Sequence, residues 1–287
     1  MVAFNRRVGE VRWAGWRSAS LGEGQRTALL LHGTGGARHS WGPMLERLDP
    51  AIAILAPDLP GHGLTRCAQH SRHGLEDMAR DLAGLVAAEG IDRIDLIVGH
   101  SAGAAVALHM ALAPSNAFSI GAILGITPSL VPPPSLYTLL LGPMLAPLVG
   151  SEPSAGLAAL LARSTGMVDR LLASTGSTID PWQRQSYRLL LGDTEHMRGA
   201  IGFMAATDLP TLLDRLKDLK VTCDMIIAED DPWIPAPALA DIIARHLPQA
   251  GLERWEGGHM LPESNPQRVA NAIASRIARA RAKGMGT

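Results

Sequence analysis

The sequence predicts an α/β fold: a mostly parallel, eight-stranded sheet with helices on both faces and a helical cap inserted after the sixth strand. Three observations carry this. Short apolar, β-prone runs alternate with helical patterns, as parallel strands joined by crossover helices require. The alternation stops near residue 128 and resumes near 219, leaving a helix-rich stretch between. A Gly-x-Ser-x-Gly sequence, Gly99 to Gly103, stands where a strand runs into a helix.

Residues 10–18 fit an antiparallel edge strand. The runs 27–32, 51–56, 94–99, 118–125 and 221–228 are apolar and short enough to be buried strands, and 252–255 fits a last one. Residues 41–48, 75–89 and 101–112 have helical patterning, and 266–282 fits a closing helix. Between them, 155–164, 167–174, 181–191 and 194–206 follow one another as helices with no strand. The expected organisation is therefore a core of residues 1–127 and 219–287 and a cap of 128–218. A cap inserted there lies over the carboxyl edge of the sheet, where open α/β sheets bind ligands.

Composition narrows the classes. A chain of 287 residues with 47% apolar residues can bury a large core without disulfides or a structural metal. A net charge of −1 gives no electrostatic case for nucleic acid. The basic run Arg276, Arg279, Arg281 and Lys283 fits a solvated helix end. Cys67 and Cys223 have neither metal nor redox spacing, and no His/Cys/Asp cluster is spaced to ligate metal, so no cofactor is expected. The first residues lack the apolar run of a secretory signal, which makes a cytoplasmic setting the expectation. From 96 to 151 the chain has no Asp, Glu, Lys or Arg, but prolines cut its apolar stretches too short to span a membrane. Part of this region belongs to the core, and the rest suits an apolar cap, with peripheral membrane contact as a further use.

Ser101 is the candidate nucleophile. A tight strand-to-helix turn forces such a serine into strained backbone with its hydroxyl exposed above the sheet, and Gly99 and Gly103 let neighbouring backbone approach. The loop His32-Gly33-Thr34-Gly35-Gly36 ends the first strong strand and can aim N–H groups at a developing oxyanion. Thr34 is the first choice of donor there and Gly35 the next, with the Ala102 N–H as partner. A phosphate loop fits poorly, because no Lys-Ser/Thr follows and the glycine spacing is wrong. Among ten histidines, His259 follows the last strand and precedes the last helix, the place of the base in this chain order. His62, in Asp58-Leu59-Pro60-Gly61-His62-Gly63, fits a structural turn. The acid must close the strand at 221–228, where Glu229, Asp230 and Asp231 all qualify. Gly33, His100, Trp41, Met144, Met204, Trp233 and Met260 are candidate pocket residues, though each also suits core packing. A serine in place of an aspartate nucleophile favours attack on a carbonyl.

These motifs resemble the α/β-hydrolase superfamily over nearly the whole chain, and Asp231-Pro232-Trp233-Ile234-Pro235 is similar to its acid loop, a resemblance that implies Asp231 as the acid, with Asp230 as the alternative. The segments LLASTGS (171–177), YRLLLGD (187–193) and GFMAATDL (202–209), with 32–41 and 99–106, resemble the magnesium-chelatase accessory proteins of bacteriochlorophyll synthesis, the BchO family. That resemblance implies a role near magnesium insertion into protoporphyrin, with a tetrapyrrole as substrate or ligand and a magnesium-chelatase subunit as partner. Three functions follow as expectations: an esterase-type serine hydrolase acting on an apolar ester, a non-catalytic porphyrin-binding or chelatase-assisting protein, and a carbon–carbon bond hydrolase or perhydrolase.

Overall fold

The computed structural model describes residues 1–21, 24–67, 74–113, 118–131, 156, 160 and 166–284. The sheet is built from β1 (Val2–Val8), β2 (Val11–Arg17), β3 (Arg26–Leu31), β4 (Ile52–Pro57), β5 (Leu96–His100), β6 (Ala122–Ile126), β7 (Thr222–Ala228) and β8 (Gly251–Trp255). These eight lie in the order β1-β2-β4-β3-β5-β6-β7-β8, and a two-residue strand, Arg66–Cys67, adds to β2. All pairings from β4 to β8 are parallel, while β2 runs antiparallel to β1 and to β4.

The alternation of side chains sorts each central strand between two cores. Leu29, Leu31, Ile97, Ile123, Met225 and Ile227 face one side, with helices α1 (Leu75–Ala88) and α2 (Ala102–Ala111). Ala28, Leu30, Val98, Leu124, Ile126, Ile226 and Ala228 face the other, against α8 (Pro266–Gly284). This explains why the strand sequences are continuous apolar runs: a parallel sheet covered on both faces leaves no polar side to alternate.

Two elements depart from the sequence reading. Strand β1 was not expected, because it is an exposed, arginine-bearing edge with no apolar run. It is held by its register with β2 across the turn at Gly9, whose φ of 58° favours glycine. The helix expected over 41–48 is a 3-10 turn, Arg38–Trp41, followed by one helical turn, Gly42–Leu45, with Pro43 in its first turn.

After β6 come the helices α3 (Met167–Ala173), α4 (Pro181–Leu191), α5 (Thr194–Ala206) and α6 (Leu209–Arg215). Local chemistry starts three of them. Asp180 and Gln183 form a reciprocal capping box on α4, Asp193 accepts from the Glu195 and His196 N–H groups, and Asp208 accepts from Thr211. Helix α7 (Ala236–His246) returns to the sheet after β7. The helix expected at 155–164 falls almost wholly outside the described residues. Among the described residues no helix is long and apolar enough to cross a membrane.

Candidate active site

The strand order reverses between β3 and β5, so the loops at their carboxyl ends diverge and open a crevice. Ser101 stands at that point, between β5 and α2, with φ 52° and ψ −119°. This is a costly conformation for a residue bearing a Cβ, and it lifts the hydroxyl clear of the sheet. The turn is over-determined: the Ser101 N–H donates to Ile126 O (2.9 Å), and Ser101 O accepts from the Ala104 and Ser129 N–H groups (3.1 Å each). A Cβ at Gly99 would lie 2.4 Å from Ala104 Cα, and one at Gly103 only 2.2 Å from Leu31 O. Gly103→Ala is therefore expected to lower stability by about 1–3 kcal/mol, read as an earlier urea or thermal midpoint.

His259 lies between β8 and α8, with its Nε2 2.9 Å from Ser101 Oγ and its Nδ1 2.7 Å from Asp231 Oδ2. The other carboxylate oxygen, Asp231 Oδ1, accepts from the Trp233 and Ile234 N–H groups (2.8 and 3.0 Å). That bonding leaves Oδ2 for the imidazole. An N–H at Nδ1 donating to Asp231 puts the lone pair of Nε2 toward the serine hydroxyl, so the ring can take its proton. Asp230 faces elsewhere: its Oδ2 accepts from the Gly257 N–H (3.1 Å) and its own N–H donates to Gly257 O (3.0 Å), which ties the two loops together. Glu229 is exposed.

The His259 backbone is held from three directions. Its carbonyl accepts from His100 Nε2 (2.9 Å) and Thr127 Oγ1 (3.1 Å), and its N–H donates to Thr175 O (2.8 Å) in the loop after α3. Burial, with the His259 ring beside it, pushes His100 down to about 3, so its imidazole is neutral and carries its proton on Nε2. Thr127 has φ 44°, a second strained residue beside the first. Sequence reasoning missed Thr127 and the role of Thr175; the LLASTGS segment contains Thr175, but nothing in it points to residue 259, and only a structure brings the two threonines there.

In the 33–36 loop, Gly33 O accepts from His32 Nδ1 (2.8 Å) and from the Gly36 N–H (3.1 Å), while His32 Nε2 accepts from the Leu59 N–H (2.9 Å). Burial holds His32 near 3, in keeping with a neutral ring that donates at one nitrogen and accepts at the other. A trans peptide fixed by its carbonyl sends the next N–H the opposite way, so this pair of bonds orients the Thr34 N–H. Ala102 is the first residue of α2 and has no partner within the helix for its own N–H. Gly33 lies close against the turn at Ser101: a Cβ there would be 3.1 Å from Ser101 Cβ.

The expected pocket residues divide. Trp233 is half-buried, with its ring centroid 5.2 Å from that of His259 and its indole N–H donating to Ser174 Oγ (3.2 Å). Met260 packs with Val168, Leu172, Ile179, Tyr187 and Leu191, a small separate core between α3 and α4. Met204 is half-buried on α5. Trp41, expected in the pocket wall, instead lies wholly inside the core on the α8 side, because the 3-10 turn rolls it under the sheet. His100 braces the His259 backbone. Met144 lies outside the described residues. His62 is buried within the turn after β4, where its N–H donates to Leu59 O (2.8 Å).

Just past His259, Glu263 is buried and its Oε1 accepts from the Tyr187 hydroxyl of α4 (2.7 Å), while Oε2 has no partner among the described residues. Burial pushes this carboxyl up from 4.5 to about 8, so it stays protonated at neutral pH. The folded state then holds a proton that the unfolded chain releases, and stability falls as pH rises from about 4.5 toward 8. Glu263→Gln, neutral at every pH, is expected to raise the melting temperature at pH 7.5 and to lose most of that advantage at pH 5. Thermal melts of both proteins at the two pH values measure it.

Residues 28–272 match the alpha/beta hydrolase family. The chain is 33% identical over 263 residues to the magnesium-chelatase 30 kDa subunit of Rhodobacter capsulatus, covering 91% of this chain and 89% of that one. It is 32% identical over 118 residues to 2-hydroxy-6-oxo-2,4-heptadienoate hydrolase of Pseudomonas putida, covering 39% and 42%. Among solved structures, the epoxide hydrolase CorEH superposes with a TM-score of 0.77 at 17% identity, covering 97% of this chain and 99% of that one. A hydrolase from Pseudomonas aeruginosa superposes with a TM-score of 0.75, also at 17% identity, covering 96% and 98%. The chain belongs to the α/β hydrolase family, in the group that includes the Rhodobacter magnesium-chelatase 30 kDa subunit.

Proposed function

We propose that this chain is a serine hydrolase that cleaves an apolar ester-like substrate by acyl transfer. The observation that supports it best is the hydrogen-bonded series Ser101 Oγ, His259 Nε2, His259 Nδ1 and Asp231 Oδ2, at 2.9 and 2.7 Å. In the proposed reaction His259 removes the hydroxyl proton as Ser101 Oγ attacks the carbonyl carbon, and the Thr34 and Ala102 N–H groups receive the oxyanion. Collapse of the tetrahedral adduct expels the alcohol, which takes its proton from His259; water then repeats the sequence and releases the acid. The kinship with a magnesium-chelatase subunit supports placing the substrate among tetrapyrroles and a chelatase subunit among the partners. An alkyl fluorophosphonate probe is expected to label the pure protein once, at Ser101. Absence of label on folded wild-type protein would refute the reading.

The same kinship favours a second reading, in which the fold holds a porphyrin or assists the chelatase without chemistry. Pigment intermediates in a deletion strain carrying Ser101→Ala separate the two. Restored synthesis supports the carrier, whereas continued accumulation of the same intermediate as the deletion supports the hydrolase.

A further inference from the structure

We propose that His196, on cap helix α5, is a positioning residue that sets the oxyanion loop, so that this part of the cap is a working component of the site and not a lid that can lift away from it. This rests on the serine hydrolase reading above and concerns how its anion-binding loop is held.

The His196 ring is wholly buried and bridges two core loops. Its Nε2–H donates to Gly35 O (3.1 Å), and its Nδ1 accepts from the Gly63 N–H (2.9 Å). The ring stands edge-on to His62, with centroids 5.4 Å apart. The bridge needs a neutral imidazole, because a proton on Nδ1 would oppose the Gly63 N–H. Burial, which pushes His196 down to about 4, keeps it neutral.

Helix α5 is fixed in register at both ends of this bridge. Asp193 Oδ1 accepts from the His196 N–H (3.1 Å) at the helix start. One turn later Gly199 sits directly on the turn after β4, where an added Cβ would fall 1.9 Å from Gly61 O. Helix and turn thus touch backbone to backbone, and the ring between them has no slack.

The consequence falls on the loop. The Gly33–Thr34 peptide is pinned through its carbonyl by His32 and Gly36. The Gly35–Gly36 peptide is pinned at both ends, through the Gly36 N–H on Gly33 O and through the carbonyl on His196. Gly35, at φ 75°, lies in a region that glycine enters freely, so its own preference does not define the turn. Without His196 the outer peptide can rotate, and the Thr34 and Gly35 N–H groups lose their aim. The cap also grips the base: His259 N–H and Met260 N–H donate to Thr175 O and Ser177 Oγ (2.8 and 2.9 Å), and a Cβ at Gly258 would lie 2.4 Å from Thr175 O. Lifting 175–199 from the core would dismantle both halves of the machinery.

The test uses His196→Asn and His196→Gln in the full chain. Asparagine can place an acceptor near the Nδ1 position for Gly63 but cannot reach Gly35; glutamine can place a donor near the Nε2 position. His196→Asn is expected to lower kcat on a p-nitrophenyl ester by about 10- to 100-fold with KM little changed, and to slow fluorophosphonate labelling in proportion. His196→Gln is expected to recover most of the loss. Hydrogen exchange over 33–36 provides a readout independent of turnover: faster in the Asn variant, near wild type in the Gln variant. A folded Asn variant with wild-type kcat, labelling rate and exchange overturns the proposal and leaves the serine hydrolase intact. If wild type itself takes no label, the hydrolase reading fails, and exchange alone decides whether His196 holds the loop. If the Asn variant does not fold, the Gln variant decides: a folded Gln protein as impaired as about 100-fold overturns the proposal.

Discussion

Ser101→Ala is expected to lower ester turnover by about 10⁴-fold or more and to abolish fluorophosphonate labelling, while the fold survives. The rate falls because the nucleophile is removed, and neither His100 nor Thr127, its buried neighbours, offers an oxygen aligned with His259 Nε2 in its place. The fold survives because alanine carries the same Cβ as serine into the φ 52° turn, so no new backbone strain is added. The bonds that hold the turn are made by the Ser101 N–H and carbonyl, not by its hydroxyl. Stability is expected to change by no more than about 0.5 kcal/mol, checked by urea titration beside the kinetic assay. A variant that keeps wild-type turnover would move the chemistry away from this serine.

The sheet was legible because its strands are buried on both faces and so announce themselves as apolar runs, and because Gly99 and Gly103 mark a turn with no room for a Cβ. Strand β1 was hidden for the opposite reason: an exposed edge carrying Arg6 and Arg7 has no burial to betray it. Ser101, His259 and Asp231 could be chosen by their order along the chain, and the His259 ring lies within hydrogen-bonding distance of both of the others. Position along the chain did not separate Asp230 from Asp231, since both follow β7, and the preference for Asp231 came from the likeness of 231–235 to the family's acid loop. The choice between them is geometric: one carboxylate caps the Gly257 N–H and the other faces the imidazole. His196, Tyr187 and Glu263 were illegible as a set. Tyr187 and His196 are polar residues among others on their helices, Glu263 lies in the short turn Leu261–Ser264, and their partners lie 76 to 161 positions away.

The helices between β6 and β7 therefore contribute more than a wall. Tyr187 of α4 reaches Glu263, His196 of α5 reaches Gly35 and Gly63, and the 175–177 loop reaches His259 and Met260. Buried polar bonds of this kind are costly to half-break, since each partner left behind is an unsatisfied group away from water. These helices and the loops they bond are thus expected to unfold as one unit, so their amides share a common protection in native-state exchange.

Asp231→Asn is expected to reduce kcat by about 10⁴-fold, as loss of the orienting carboxylate does in other triads, with little effect on KM. The isosteric amide can keep its oxygen on the Trp233 and Ile234 N–H groups, where Asp231 Oδ1 now sits. Its NH2 group then faces His259 Nδ1 and donates to it, which forces the imidazole proton onto Nε2. That nitrogen, 2.9 Å from Ser101 Oγ, would present a hydrogen instead of a lone pair, and the serine proton would have nowhere to go. Asp230→Asn is the control. Its side chain accepts a single backbone N–H at 3.1 Å on an exposed loop, a bond that an amide oxygen can also make, so kcat should stay within about threefold. Equal losses in the two variants would mean that the acid loop matters through its fold alone. A loss confined to Asp231 would tie the rate to the tautomer of one ring.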